Sequence, residues 1–267
     1  MKKQMTYLAS ILLASAVIIS ACSKDNDYNN TPNTPAIVAQ QFKSVGDSTG
    51  ISNKLVEFRN TLGATLNIAP GAVGGRREVN WDAVPANLTN INGFPPDFFG
   101  SSDPLLANGR KRGLLMTNTG TSFRVDSTDF SEIDATYADQ FSRFSPKRLF
   151  VYMGNTATEC TFKVPGSTTD AFIKGFGVIF NDVDDANSSS IEFFNGNKSL
   201  GVYKALQSPN GQFSFLGVYF PDEKITKVKI IAGNGLLAAG TKDVSNGGTK
   251  DLVVMDDFLY DEPKSVL

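Results

Sequence analysis

Hydrophobic spacing changes character along this chain. Residues 7–19 are largely apolar behind Met1-Lys2-Lys3, and the run closes on Ser20-Ala21-Cys22. Residues 23–36 are polar and carry prolines, with too little apolar surface to offset the entropy of ordering. From 37 to 63 the reading is mostly helical. Leu55, Phe58 and Leu62 fall on one face, Ser52 stands where a cap belongs, and Gly63 sits where a helix C-terminus favours glycine. Beyond 63 the period drops to two. Strand-like runs occupy 112–117, 121–126, 148–153, 160–164, 172–180, 190–194, 200–206, 213–220, 227–230 and 251–260. Asn118-Thr119-Gly120 and Asn195-Gly196-Asn197 are turn signals that predict hairpins between their flanking runs. No helical pattern separates the late strands, so parallel crossover units are excluded. The pattern predicts an all-β fold: an antiparallel β-sandwich or jelly roll with a short N-terminal helical segment, formed by 37–267 as one domain.

A short basic start, an apolar stretch and small residues before a cut site mark a secretory signal, here residues 1–21. Ile19-Ser20-Ala21-Cys22 resembles a bacterial lipobox, which implies cleavage before Cys22 and lipid on its thiol. Residues 22–36 then form a tether, and the partner at that end is a membrane. Lys24-Asp25-Asn26-Asp27 resembles the acidic export signal of Bacteroidetes surface lipoproteins. It implies an outer-membrane lipoprotein displayed on the cell surface; a periplasm-facing anchor is the alternative.

Composition narrows the chemistry. Loss of Lys2 and Lys3 leaves 23 basic residues against 27 acidic, a formal charge of −4 with no basic block, so nucleic acid is not an expected partner. There is no histidine, which removes Ser-His-Asp and Cys-His catalysis and histidine-based zinc sites. With Cys22 committed to lipid, Cys160 is alone and has no disulfide partner; its alternation with Phe162 and Val164 predicts a buried thiol.

Four segments carry candidate chemistry. In Gly74-Gly75-Arg76-Arg77-Glu78-Val79-Asn80-Trp81-Asp82, Trp81 could stack on a sugar while Arg77, Asn80 and Asp82 bond hydroxyls. Equally, it could be a structural corner with Trp81 in the core and Arg76 or Arg77 paired to Glu78 or Asp82. Phe94-Pro95-Pro96-Asp97-Phe98-Phe99-Gly100 could be an exposed lip or a plug at one end of the sandwich. Asn181-Asp182-Val183-Asp184-Asp185-Ala186-Asn187 offers oxygens suited to calcium, but it lacks the EF-hand glycine and needs ligands from elsewhere. Asp256 and Asp257 interrupt an apolar strand. Strict alternation places them on opposite faces, so at least one points inward and must be paired or metal-bound. The expected metal ligands are therefore Asp182, Asp184, Asp256 and Asp257, with calcium structural in role. Arg76, Arg77 or Arg148 is the alternative partner for the strand aspartates. Jelly-roll carbohydrate-binding modules often hold a calcium near an acid of the last strand, and the position here is similar.

The segments Phe58 to Gly63, Gly75 to Asp82, Phe144 to Phe150, Phe180 to Asp184, Ser214 to Phe220 and Val253 to Tyr260 together resemble a family of exported bacterial proteins carrying GRRExNWD and VVMDDFxY motifs. The resemblance implies one co-linear β-sandwich and no particular reaction. The leading expectation is a noncatalytic, lipid-anchored module that binds glycan or another extracellular ligand. A polysaccharide-acting enzyme using Glu78, Asp82 or Glu192 is the second reading. A structural or adhesive coat protein with buried Trp81 is the third.

Overall fold

The computed structural model describes residues 36–117, 122–208 and 211–266. Cys22, the signal and tether segments, and the Asn118-Thr119-Gly120 turn lie outside them. Ile37–Leu267 forms one compact unit. Among the described residues no helix is long and apolar enough to cross a membrane.

The unit is an antiparallel β-sandwich of two seven-stranded sheets. In the first, the order is β1 (Gln40–Gly46), β11 (Phe213–Tyr219), β8 (Gly175–Asn181), β13 (Val254–Asp261), β5 (Leu149–Met153) and β4 (Ser122–Asp126), with β2 (Arg76–Val79) also on β13. In the second it is β10 (Lys198–Lys204), β9 (Ser190–Asn195), β12 (Lys227–Ile231), β6 (Ala157–Lys163), β7 (Asp170–Phe172) and β14 (Lys264–Ser265), with β3 (Leu114–Thr117) also on β6. The main core lies between them. Phe176, Val178, Phe180, Phe258 and Tyr260 from the first sheet belong to the same buried cluster as Cys160, Phe162, Ile191, Val228 and Ile230 from the second. Burial raises the Cys160 thiol above its usual range, so it is an inert core residue.

Three details differ from the sequence reading. The segment 37–63 is mostly helical as expected, but it begins with a strand, β1, and its helix, α1, runs Ser48–Leu62. Its cap is Asp47, whose carboxylate accepts the Gly50 N–H at 2.8 Å. Ser52 lies inside the helix and its hydroxyl donates to the Thr49 carbonyl. Gly63 does end it, at φ 136°. β3 and β4 do not form a hairpin, since they pair with β6 and β5 in opposite sheets. A turn signal does not say whether the strands on either side of it share a sheet. The hairpin at Gly196-Asn197 does form, with Asn195 opposite Lys198.

The helix covers the outer face of the first sheet through Ile51, Leu55, Phe58 and Leu62. Gly177 and Gly217 face each other across β8 and β11. A Cβ at either would come within 3.0 Å of the Phe58 ring, so the glycine pair makes the seat for that side chain.

Candidate functional site

The Gly75–Asp82 segment is a structural corner. Arg77 is fully buried and its guanidinium makes a two-point bond to Glu262 at 2.7 and 2.8 Å. Glu78 is gripped by Arg59 and Arg76; burial raises its proton affinity, but these two arginines outweigh that and hold it below the usual carboxylate range. Trp81 is 1% exposed. One face of its indole stacks on Phe150 at 3.9 Å, while Phe94, Phe99 and Phe258 meet it edge-to-face. It therefore offers no open face to a sugar, which corrects the stacking role foreseen for it. Phe94, Phe98 and Phe99 are buried, so their segment is a plug and not a lip. Asp82 is half-buried and accepts the Lys147 N–H at 3.0 Å. Asn80 is exposed.

Asp256 and Asp257 sit in a β-bulge. Met255 pairs with Phe180 and Phe258 with Val178, so two aspartates stand opposite Ile179 alone. The bulge coincides with a change of neighbour: β13 pairs with β5 at Met255 and with β2 from Phe258 onward. In that gap the Asp256 carbonyl accepts the Trp81 indole N–H at 2.7 Å. The extra residue breaks alternation, which overturns the expectation that the two carboxylates face opposite ways. Both meet Ser145: Asp256 Oδ2 accepts the Phe144 and Ser145 N–H groups at 2.7 and 3.1 Å, and Asp257 Oδ1 accepts the Ser145 hydroxyl at 2.7 Å. Asp256 Oδ1 faces no N–H or O–H donor. Burial, then the Asp257 charge, raises Asp256 well above the carboxylate range. No arginine pairs with either: Arg76 is bound to Glu78, Arg77 to Glu262, and Arg148 to Thr89 and the Val84 carbonyl.

A different set of acids converges at the loop end of β8. Asp182, Asp184 and Asp243 each bring a carboxylate oxygen within 4.8 Å of the others. Asp182 is 0% exposed and adopts φ 66°, a left-handed conformation uncommon for a residue with a Cβ. Its Oδ2 accepts the Gln140 side-chain amide at 2.7 Å. Its Oδ1 is buried without a well-aligned hydrogen bond, as is Asp184 Oδ2. Burial is the main cause raising Asp182 to about 7; the Gln140 amide and the Gly211 backbone N–H offset part of this, and the Asp243 charge adds to it. Asp184 also rises to about 7, through burial and then its contact with Asp243. Asp243 is pinned by the Ser245 and Leu252 N–H groups at 2.8 and 2.6 Å. Asp251 orders the same loop, accepting the Asp184 and Asp185 N–H groups and the Ser188 hydroxyl. Carboxylates this close repel unless a proton or a cation lies between them. The all-oxygen donor set fits a hard cation such as calcium. Thus the structure brings Asp182 and Asp184 together, adds Asp243, and holds Asp256 and Asp257 in separate bonds.

Two hollows adjoin these features. One, of about 360 Å³, is lined by Thr136, Asp139, Gln140, Lys242, Asp243 and Asn246. It shares Asp243 with the acid cluster, and Gln140 reaches Asp182 from it. The other, of about 310 Å³, lies beside Trp81 and is mainly apolar.

No family model matches the chain, and neither does any curated protein or solved structure. The site is therefore read from its own geometry. Of the acids of the hydrolase reading, Glu78 is held by two arginines in β2, Asp82 accepts the Lys147 N–H, and Glu192 lies in β9 of the other sheet with the Ser199 hydroxyl on it. Sequence reasoning missed Asp243, Asp251 and Gln140. Asp243 opens a turn-rich segment ending in Gly247-Gly248, which marks a loop but not the loop it meets.

Proposed function

We propose that this chain is a noncatalytic binding module, anchored by lipid on Cys22 and displayed on the cell surface, whose loop end is locked by calcium and takes up glycan. The convergence of Asp182, Asp184 and Asp243 around oxygens without protein donors carries the reading. The ion would bridge the loop after β8 to the loop before β13 and replace the protons that the metal-free cluster must hold. Its role would be to fix geometry.

The glycan reading rests on the adjoining hollow. Thr136, Asp139, Gln140, Lys242 and Asn246 present hydroxyl, carboxylate, amide and ammonium groups, which suit a hydroxyl-rich ligand. Gln140 and Asp243 each serve both the hollow and the acid cluster, so filling the cation site would preorganise the polar wall. This moves the contact residues away from Trp81.

The test is a glycan-array screen of the full chain in calcium and in EDTA, repeated with Asn246→Ala. Retention that needs calcium and falls in Asn246→Ala supports the proposal. Glycan retained equally in EDTA, or no retention in calcium, sinks it.

A further inference from the structure

The apolar hollow beside Trp81 has its own chemistry. Val79, Trp81, Val84, Phe98, Phe99 and Leu106 supply apolar surface, and Arg110 and Arg112 are the charged groups on its wall; no carboxylate lines it. At about 310 Å³ it is at the small end of the ~300–1,000 Å³ typical of small-molecule sites. Arg110 lies over the Phe98 ring, its Cζ 3.9 Å from the centroid, and its Nε donates to the Phe98 carbonyl at 2.9 Å. Its terminal nitrogens make no hydrogen bond among the described residues. Arg112 is half-buried and donates to the backbone carbonyls of Glu78 and Gly109. Glu78, whose carbonyl Arg112 bonds, has its carboxylate on Arg59 and Arg76, and Asp97 and Asp103 line a separate hollow that Arg110 also borders. Two guanidiniums at an apolar wall thus lack a counter-anion within the cavity. Burial also lowers the proton affinity of Arg112, as expected for a cation short of compensating charge.

We propose that this cavity binds a small amphipathic carboxylate, its apolar body against Trp81 and Phe98 and its carboxylate on Arg110 and Arg112. An aliphatic or aromatic acid satisfies both halves of the wall: the body removes apolar surface from water and the head group takes charge-assisted bonds. A glycan satisfies neither. The site shares no residue with the acid cluster or its polar hollow, so it stands whether or not calcium binds there.

Trp81 is the single tryptophan of the chain and lines this cavity, so its emission reports occupancy. The full chain is titrated with decanoate, decanol and decyltrimethylammonium, in calcium and again in EDTA. A saturable emission change with decanoate is expected in both buffers. Decanol and the cation should bind at least about tenfold more weakly, the loss of a charge-assisted contact. Arg110→Gln, at a half-exposed position, should weaken decanoate about tenfold with the near-UV circular dichroism unchanged. Ala107→Phe should fill the space and abolish the response. Equal affinity for decanoate and decanol, or an Arg110→Gln variant that binds decanoate as well as the parent, overturns the proposal, as does a silent decanoate titration. Decanoate binding with no calcium effect on stability would leave this site intact and remove the cation reading alone.

Discussion

Two groups of buried aspartates illustrate how differently one residue type can be used. In both, burial raises proton affinity. In the β13 bulge two peptide N–H groups and the Ser145 hydroxyl bind Asp256 Oδ2 and Asp257 Oδ1, and Asp256 Oδ1 is the oxygen left without a donor. That group is closed in number: among the described residues no third acid converges on it. At the loop end, Asp182 and Asp184 each keep a shielded oxygen without a donor, beside a polar hollow. That group is open to a cation. Burial alone does not identify a metal site; the number of converging oxygens decides.

The largest expected effect tests the closed group. Asp256→Ala strips a buried and a part-buried N–H group of their acceptor and should cost about 3 kcal/mol in denaturant unfolding. Asp256→Asn keeps an acceptor oxygen for those N–H groups, so its cost should stay within about 1 kcal/mol. Equal losses in the two variants would contradict the bonding described here.

The open group is tested by the ion itself. Calcium at a hundredfold excess over its dissociation constant should add about 2.7 kcal/mol to folded-state stability, visible as a raised thermal midpoint that EDTA reverses. Asp243→Asn and Asp182→Asn should abolish that rise, and Asp256→Asn should keep it. A rise that survives Asp243→Asn would place the ion elsewhere.

A smaller, pH-dependent effect follows from the raised proton affinities. Asp182 and Asp184 hold protons more tightly folded, at about 7, than at the ordinary 3.8. Their contribution is thus fully present below about pH 4 and is lost as the pH rises through 7 in metal-free protein. Calcium competes with those protons, so its stabilisation should grow across the same window. A calcium effect that shrinks between pH 5 and 7 would contradict the protonated metal-free cluster.

The smallest effect concerns Trp81. Acrylamide should quench its fluorescence far less than that of free tryptophan, because four phenylalanine rings pack on its indole and the residue is 1% exposed. Efficient quenching would reopen the stacking role.

Much of the frame was legible in advance. Alternation marked the paired strands, Asn195-Gly196 marked a real hairpin, and Leu55, Phe58 and Leu62 marked the helix face that packs on the first sheet. The helix start was misplaced because Asp47 and Ser52 are both competent caps and the choice depends on where β1 ends. The candidate site was half legible. Asp182 and Asp184 stand out as acids at the end of a buried strand, whereas Asp243 lies about sixty residues downstream and comes to them only through the sandwich topology.

The local periodicities and turn residues of this sequence were enough for an all-β sandwich, because side chains alternate with the pleat whatever the strand pairs with. They could not reveal the bulge at Asp256-Asp257, which arises where β13 exchanges β5 for β2. Nor could they choose between a core and a ligand role for Trp81. Both depend on which segments meet in space, and that only the tertiary structure decides.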